Sequence, residues 1–505
     1  MQNKITVPFD PDGNLPLYEQ IYRYIRDEIK IGHLAEGDKL PSTRRLSDHL
    51  QVSRTTVDTA YDQLLSEGYI EARPYRGYYV CPVEELFVYE KSNKKLVDRS
   101  VGIREETGEE HRFSRTNRDK DRMMNKDENH KPENQTSFRV DFSPYATEND
   151  EFPLGIWRKI NKDLLLEERL HIFSRGNAQG EWELRETISR YLRGSRDVEA
   201  SPEQIVIGAG NDYLLMLLHM MFCAEMGHKK APSVAMESPT YPGAYNLFTA
   251  LGCEMHLFST DEHGPVVEEL KGRDLDAVYV MPSHQFPTGA VMPIGRRMEL
   301  LRYAASSPHC YIIEDDYDSE YRFRGKPIPA LQASDSAGRV IYIGTFSKAI
   351  APAIRVSYMV LPDHLLPIFH KVLGFLSCTV PRPDQMILRE FLEQGSFEKH
   401  LNRMRKIYRG KMDVLLEEMA PLEGRFTIRG KDAGLHILLT GPCKDEKLTA
   451  LAAKEGVKIY PLSAFYPGKQ PEDTFSRCTV LLGFGGLKEE EIRLGAELLK
   501  KAWSQ

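Results

Sequence analysis

The chain has 505 residues, of which 41% are hydrophobic, and this length predicts about two to four domains with a large core. Its formal net charge of -7 excludes a generally basic nucleic-acid-binding protein, so any DNA contact must depend on a local patch. The sequence has no run of eighteen apolar residues and no basic-then-apolar N-terminus, which predicts a cytoplasmic protein without a membrane span. The 7 cysteines are scattered without C-x-x-C spacing, so we expect reduced thiols and no metal site.

The first eighty residues read as a separate module with three helices. Apolar residues at four-residue spacing predict the first helix: Leu17, Ile21, Ile25 and Ile29. Gly32 ends this helix, and a second helix is expected from Pro41 or Ser42 to about Leu50. Ser53 can cap a third helix. The inward face of that helix is apolar: Val57, Ala60, Tyr61, Leu64 and Leu65.

Residues 71–80 read as two short strands joined by a turn at Arg76 and Gly77. A hairpin after three helices is typical of the winged helix-turn-helix, in which one helix enters the major groove. The stretch LPSTRRLSDHLQVSRTTVDTAYDQLLSEGYI, with this wing, resembles the GntR family of bacterial regulators. The resemblance implies DNA binding by the following residues: Arg44, Arg45, Ser53, Arg54, Thr55, Thr56, Arg76 and Gly77.

The module is not basic overall, because residues 1–80 hold ten Lys or Arg against twelve Asp or Glu. The basic side chains nevertheless cluster where the DNA surface is expected: Lys39, Arg44, Arg45, Arg54, Arg73 and Arg76. Asp58 on the third helix departs from the basic residue that some relatives carry there. A helix-turn-helix that binds another protein through a solvated charged face is the alternative.

Residues 83–137 are rich in charged and amide side chains and poor in aromatic and β-branched ones. Such a segment cannot bury enough apolar area to fold alone, which predicts a flexible linker. A DNA contact from the basic part of this segment is the alternative. We therefore expect a DNA-binding domain at residues 10–82, a linker at 83–137 and a second domain at 138–505.

A single lysine follows a short apolar strand in the stretch VIYIGTFSKAIAPAIR. Lys348 is preceded by the hydroxyls of Thr345 and Ser347, and Arg355 follows seven residues later. An ammonium, two hydroxyls and a guanidinium can converge on an aldehyde and a phosphate, which are the groups that pyridoxal 5'-phosphate (PLP) presents. A surface lysine whose stem lies along the strand is the alternative.

The pattern T-x-S-K-x6-R resembles that of the fold-type I aminotransferases, whose Schiff-base lysine lies in this motif. The resemblance implies that Lys348 is this lysine, that Asp315 pairs with the pyridinium nitrogen and that Tyr317 contacts the phenolic oxygen of the cofactor. The alternative is that these acids cap a helix. Ala209 and Gly210 join a strand to a helix, whose N-terminus can hold a phosphate.

Strand-like runs recur with helical stretches between them, which predicts an α/β domain with a mainly parallel sheet. The runs are residues 204–207, 233–236, 277–281, 310–313 and 340–343. Tyr241 lies where related proteins stack a ring on the pyridine, and an ordinary core tyrosine is the alternative. From about residue 366 to 505 the chain resembles the small C-terminal α/β subdomain of these enzymes.

The sequence departs from the aminotransferase pattern at three positions. Phe286 stands where an asparagine normally donates a hydrogen bond to the phenolic oxygen of the cofactor. Leu481 replaces the arginine that usually grips the substrate carboxylate, and Arg477 is the candidate substitute for binding an effector. Arg175 stands where many relatives place a tyrosine that reaches the phosphate of the neighbouring subunit. These departures weaken the case for turnover but not the case for cofactor binding.

The complete arrangement of winged helix, linker and aminotransferase-like domain resembles the MocR/GabR family of transcription regulators. The resemblance implies a homodimer, with the head of one chain on the body of the other, bound to direct-repeat or palindromic promoter DNA. It also implies that an amino compound, or PLP itself, is sensed at Lys348. A working aminotransferase with a fused DNA-binding head is the alternative.

Overall fold

The computed structural model of the chain describes residues 5, 7–9, 15–73, 76–82, 138–166, 173–225, 231–261, 263–323 and 328–504. The expected linker, residues 83–137, lies outside the described residues. Within the described ranges, no helix is both long enough and apolar enough to cross a membrane.

The N-terminal head consists of α1 Leu17–Ile31, α2 Thr43–Leu50, α3 Arg54–Ser66, β1 Ile70–Arg73 and β2 Gly77–Val80. The two strands pair antiparallel, which confirms the winged helix-turn-helix. Gly32 ends α1 in the left-handed conformation, with a φ of 83°. The side chains of Ser42 and Ser53 cap α2 and α3 by accepting hydrogen bonds from the backbone N–H groups of Arg45 and Thr56.

The body begins with β3 Val140–Asp141, and its central strands are β4 Ile205–Gly208, β5 Ser233–Ser238, β6 Glu254–Asp261, β7 Gly264–Pro265, β8 Ala277–Val280, β9 Tyr311–Asp316, β10 Val340–Thr345 and β11 Ser357–Val360. In the described residues, the central sheet has the order β4-β11-β10-β9-β8-β5-β6-β7. Only β11 and β7 run antiparallel to their neighbours in this sheet. The expectation of a mainly parallel sheet is therefore confirmed.

Both faces of the central sheet are buried. Ile341 and Ile343 pack into one apolar cluster, whereas Tyr342 between them packs into another. Alternation of this kind is expected when successive residues of a strand face opposite ways. It explains why the strands read as continuous apolar runs, and it leaves the strand ends as the place for polar side chains.

The helices of the body are α4 Leu154–Leu166, α5 Trp182–Arg196, α6 Asn211–Glu225, α7 Pro242–Ala250, α8 Ile294–Ser306, α9 Leu366–Leu373, α10 Arg382–Glu393, α11 Ser396–Met419, α12 Asp445–Lys454, α13 Thr474–Cys478 and α14 Glu489–Trp503. The C-terminal part adds β12 Thr427–Arg429, β13 His436–Thr440, β14 Val457–Lys458, β15 Tyr460–Pro461 and β16 Thr479–Gly483. Its small sheet has the order β12-β13-β16-β15, and β14 pairs with β3. The C-terminal α/β subdomain is therefore present.

The head packs on the body of its own chain at a contact that we call the head–body seam, formed by Glu67, Gly68, Pro293 and Ile294. The backbone N–H of Ile294 donates to the carbonyl oxygen of Glu67 at 2.9 Å, and the Ile294 side chain joins the apolar core of the head. A Cβ atom at Gly68 would lie 2.5 Å from the Cβ of Pro293. The exchange of heads between two chains stays a prediction, because the body of a second chain would offer the same surface.

Candidate functional site

Two parallel strands bring the predicted lysine and carboxylate to one edge of the sheet. β9 ends at Asp316, and its residue Asp315 pairs in register with Ile343 of β10. Lys348 follows β10 by three residues, in the loop that leaves the same edge. Polar groups at the carboxyl ends of parallel strands are the usual material of α/β binding sites.

Asp315 is held by two neutral donors in the buried end of β9. The side-chain amide of Asn211 donates to Asp315 at 3.0 Å, and the hydroxyl of Tyr279 donates to its other oxygen. Burial raises the pKa of Asp315 to about 6, although these two hydrogen bonds favour the ionised form. A cationic partner would relieve the remaining cost of burying this charge, which is what a pyridinium nitrogen would provide.

Lys348 is half-buried, and its amine contacts two backbone carbonyl oxygens. Its Nζ is 3.4 Å from the carbonyl oxygens of Pro144 and Tyr145. Burial lowers the pKa of Lys348, and the nearby charge of Asp318 acts in the opposite direction. A lowered pKa leaves more of the amine unprotonated at neutral pH, and only the unprotonated form attacks an aldehyde.

Arg355 lies against the glycine turn that precedes α6. Gly210 takes a φ of 96°, which favours glycine, and a Cβ atom there would meet the Arg355 guanidinium. The same guanidinium lies 3.4 Å from the carbonyl oxygen of Ala209 and 3.1 Å from the carboxylate of Asp212. Arg355 adopts the left-handed backbone conformation with a φ of 50°, which costs a non-glycine residue free energy and is characteristic of functional sites. This places a cation beside a helix N-terminus, as a phosphate requires.

The two predicted hydroxyls have different surroundings. Thr345 accepts a hydrogen bond from the backbone N–H of Ser347 at 3.1 Å and another from the hydroxyl of Ser357 at 2.8 Å, so it shapes the loop. The hydroxyl of Ser347 is buried and bonds to no other described residue. A buried hydroxyl without a partner is unfavourable, and a phosphate oxygen would satisfy it. The donor set, the orphaned hydroxyl and the glycine turn therefore fit PLP.

Aromatic rings form one side of the site, with Phe286 in contact with each of them. The ring centroid of Phe286 lies 6.1 Å from those of Tyr241 and Tyr317 and 5.7 Å from that of Tyr145. The charges of Asp212, Asp315 and Arg355 all act on Tyr241, so this ring is near both the carboxylate and the phosphate side of the site. Phe286 offers no hydrogen bond, so another residue must hold Tyr317.

Tyr317 contacts a buried histidine that the sequence reading did not single out. Its hydroxyl lies 2.9 Å from Nδ1 of His284. The same nitrogen lies 2.9 Å and 3.0 Å from the two carboxylate oxygens of Asp318. His436 lies next to this histidine, with its ring centroid 5.7 Å from that of His284.

The structure does not bring two of the predicted residues into this group. Arg175 is exposed and donates to the carbonyl oxygen of Phe375 at 2.9 Å. Arg477 donates to Glu472 at 2.9 Å from the surface helix α13. Leu481 is fully buried in the apolar core, so it forms no part of a polar pocket.

Other site residues escaped the sequence reading. Asn211 has a weak local signal, since it starts the helix after the glycine turn. Tyr279 lies inside an apolar strand. The hydroxyl of Thr379 accepts a hydrogen bond from the backbone N–H of Ala209 at 2.9 Å, although the two residues are 170 positions apart in the chain. His284 and Asp318 come together across 34 residues. Only a pairing of the motifs in space reveals these partners.

On the head, the predicted DNA contacts lie on α2, at the start of α3 and in the wing. Arg44, Arg45 and Arg76 are exposed. The side chain of Arg54 is 67% exposed and lies 3.5 Å from the carboxylate of Asp58. The hydroxyl of Ser53 bonds to those of Thr55 and Thr56 at 2.8 Å, so these three residues also build the cap of α3. Gly77 takes a φ of 100° in the wing turn.

A winged helix-turn-helix joined to an aminotransferase-like body defines a class of DNA-binding regulators. Residues 17–80 match the family described as bacterial regulatory proteins, gntR family, and residues 140–481 match aminotransferase class I and II. The chain is 37% identical to the uncharacterized HTH-type transcriptional regulator YdeL of Bacillus subtilis over 97% of both chains. It is 31% identical to the probable rhizopine catabolism regulatory protein MocR of Rhizobium meliloti, over 98% of this chain and 95% of that protein.

The body is also similar to solved aminotransferases. The multiple substrate aminotransferase of Thermococcus profundus superposes with a TM-score of 0.64 and 25% identity, over 74% of this chain and 92% of the enzyme. The chain belongs to the MocR-type family of HTH regulators, in which a GntR-type helix-turn-helix domain is fused to an aminotransferase class I and II domain. The first domain implies binding to DNA, and the second implies dependence on PLP.

Proposed function

We propose that this chain is a promoter-binding regulator that holds PLP at Lys348 and senses an amino compound, or PLP itself, at that site. The observation that carries the proposal is the convergence of a partly buried lysine, a buried carboxylate and a phosphate-type cradle in a chain with a winged head. Bound PLP would supply an electrophilic carbon that exchanges one amine for another. Lys348 would provide the resident amine, Asp315 would face the ring nitrogen, and Gly210, Ser347 and Arg355 would face the phosphate.

We propose that the head contacts promoter DNA through the start of α3 and the wing. Thr55 and Thr56 lie at the N-terminus of α3, the end of a recognition helix that contacts base edges in known complexes. The exposed arginines suit contacts to phosphates: Arg44, Arg45, Arg54 and Arg76. The net charge of the whole chain does not oppose this, because phosphate contact depends on the local field.

We propose a homodimer in the cytoplasm, since promoter sites with repeated or palindromic halves call for two heads. Large apolar side chains on the body are exposed, which suits burial against a second copy: Trp182, Met216, Met220 and Phe375. Arg175 bonds to the carbonyl oxygen of Phe375, so it lies in this apolar region and would reach a phosphate of the partner chain. Exchange of the heads would then use the head–body seam.

The effector would act by changing contacts at the site that depend on Lys348. An amino compound bound in place of Lys348 would leave the lysine as a free amine. The charge of Asp318 would then act on that free amine. A ligand shifts a conformational equilibrium only through such differential contacts, so the liganded body must favour one placement of the heads on DNA.

A working aminotransferase is the second candidate, because Lys348 and Asp315 lie at one edge of the sheet and solved neighbours of the body are aminotransferases. The two candidates differ in turnover. Purified protein with PLP is mixed with a panel of amino acids and a keto acid. Repeated formation of a new amino acid favours the enzyme, whereas a spectral change that stops after one equivalent, with an altered promoter footprint, favours the regulator.

The lysine assignment has a direct test. Titration of the purified protein with PLP is expected to produce a visible absorbance band that Lys348→Ala abolishes. The exposed Lys399 on α11 provides the matched control, because Lys399→Ala removes a lysine that is far along the chain from the motif. Persistence of the band in Lys348→Ala, or its equal loss in Lys399→Ala, would contradict the proposal.

A further inference from the structure

A buried histidine and aspartate lie beside Tyr317, and the proposed function gives the histidine no role. Nδ1 of His284 is 2.9 Å from Oδ2 of Asp318 and 2.9 Å from the hydroxyl of Tyr317. The side chains of His284 and Asp318 are each 4% exposed. A desolvated pair of this kind is a weak contributor to stability, so its position at a site suggests a functional reason.

The contacts determine which atoms carry protons. A carboxylate accepts hydrogen bonds, so Nδ1 of His284 must carry the proton that it shares with Asp318. The same N–H group lies within hydrogen-bond distance of the Tyr317 oxygen, which then acts as an acceptor. The hydroxyl of Tyr317 therefore does not donate to the imidazole, and its proton is available to Asp318, which also bonds to this hydroxyl, or to a bound acceptor.

The imidazole has little freedom to turn. Gly434, which takes a φ of 77°, lies so close that any side chain there would overlap the ring of His284. A Cβ atom at Gly289 would lie 3.4 Å from Nε2 on another side. His436 packs against the same ring, and its Nε2 donates to the carbonyl oxygen of Pro287 at 2.9 Å, because a carbonyl oxygen only accepts. The backbone thus fixes the direction of the Nδ1–H group.

Resting on the proposed function, we infer that His284 is a positioning residue that Asp318 holds as a hydrogen-bond donor and that aims the Tyr317 hydroxyl at the phenolic oxygen of bound PLP. The inference also accounts for Phe286, which stands where aminotransferases place an asparagine. Since Phe286 donates no hydrogen bond, Tyr317 becomes the main donor to that oxygen, and its orientation matters more.

The expected effect has a definite sign. A donor to the phenolic oxygen of bound PLP would stabilise the anionic form of that oxygen and so lower its affinity for a proton. A misdirected Tyr317 therefore raises the apparent pKa of the spectral transition of the PLP-loaded protein. The other charged or titratable groups that act on this trio are Asp315 and Asp316 at the end of β9, Lys348 on the loop after β10 and His436 on β13. All four are unchanged in the variants used below.

Two variants of similar polarity test whether the position of the N–H donor at residue 284 matters, and not only its presence. Asparagine at position 284 places a side-chain N–H near the location of Nδ1, whereas glutamine places it farther out. We expect His284→Gln to raise the apparent pKa by about one, the value of one hydrogen bond, and His284→Asn to stay near the parent. His364→Gln is the matched control, because Nε2 of His364 lies 2.9 Å from the hydroxyl of Tyr311 at the far end of β9. It should leave the transition unchanged.

A double substitution tests whether the effect passes through Tyr317. In a Tyr317→Phe background, which itself raises the apparent pKa, His284→Gln should add nothing. An unchanged pKa in His284→Gln, or an equal increment without the tyrosine hydroxyl, would overturn this inference alone. The absence of any visible band when the parent protein meets PLP would overturn the proposed function, and this inference with it.

Discussion

Nε of Arg196 lies 2.7 Å from Oδ2 of Asp316, and both side chains are only 3% exposed. Asp316 also accepts a hydrogen bond of 2.5 Å from the hydroxyl of Tyr342. Successive residues of a strand face opposite ways, so this ion pair lies on the reverse side of β9 from Asp315. Glu314 lies on the same side as Asp316, and its charge acts on Arg297 of α8, the helix that begins at the head–body seam. One strand thus connects the proposed cofactor side of the sheet with the helix that begins at the head–body seam.

Removal of Arg196 should be costly because Asp316 would stay buried without its ion-pair partner. We expect Arg196→Met to lower the free energy of unfolding by about 3–5 kcal/mol. Arg193 on the same helix is exposed, so Arg193→Met should change it by less than about 0.5 kcal/mol. Thermal and denaturant unfolding measure both. Equal losses in the two variants would contradict the role of the buried pair.

The head–body seam can be tested with two glycines of similar backbone conformation. Gly68 has a φ of 73° and Gly37 a φ of 76°, but only at Gly68 would a Cβ atom meet the body. Both alanine variants bear the backbone cost of about 1 kcal/mol. We expect Gly68→Ala alone to release the head, seen as faster proteolysis between head and body and a separate unfolding transition of the head. The same digestion pattern in both variants would argue against the seam.

The affinity for PLP should depend on pH through Asp315. Burial raises its pKa to about 6 from 3.8, so its contribution to the stability of the PLP-free protein is fully present below pH 3.8 and is lost as pH rises through about 6. The pyridinium nitrogen requires the ionised form. Below about pH 6 binding must release a proton, and the affinity should fall up to about tenfold per pH unit.

Fluorescence or absorbance titration with PLP measures this dependence. A range of about pH 5–8 extends about one to two units on either side of the pKa of Asp315. Asp315→Asn should bind PLP weakly and lose the slope below pH 6. The exposed Asp413 on α11 gives the control, and Asp413→Asn should keep both affinity and slope. A slope that survives in Asp315→Asn would assign the titration to another group.

Arg54 and Asp58 should have opposite effects on DNA affinity. Arg54→Ala removes a phosphate or base contact, so we expect about a tenfold loss and a salt dependence shallower by about one. Asp58→Asn removes the carboxylate that lies 3.5 Å from Arg54 and should tighten binding about fivefold at low salt. Fluorescence anisotropy with promoter DNA measures both. Arg493→Ala on the body should change neither affinity nor the PLP spectrum, and weaker binding by Asp58→Asn would contradict the assigned docking face.

Local signals made the head predictable. Gly32 ends α1, Ser53 caps α3, and the Arg76-Gly77 turn joins the wing strands, because each effect acts within a few residues. The sheet was also predictable, since buried parallel strands need continuous apolar runs. The hydrogen bonds of the site could not be predicted from the sequence. Tyr279 donates to Asp315, which is 36 residues away, and the sequence of its own strand does not indicate that contact.

The residues that were missed or misplaced in the prediction also depend on contacts between distant segments of the chain. Phe286 was recognised by its motif, but the compensating contact of His284 was not, because the partner Asp318 comes from another segment. Arg477 was chosen by proximity in sequence to a missing arginine, and the structure places it in a surface helix with Glu472. Spacing along a chain finds residues that share a motif, whereas residues that share a hydrogen bond are found only in three dimensions.

The close fit of Gly68 against Pro293 has a practical consequence for building chimeric regulators. Grafting a foreign reading head onto this body, or this head onto a foreign body, transfers only half of a matched surface. A hybrid joined at any point between residues 82 and 138 would therefore keep the promoter preference of its head. It would lose the close fit between head and body unless both the glycine and the proline are retained.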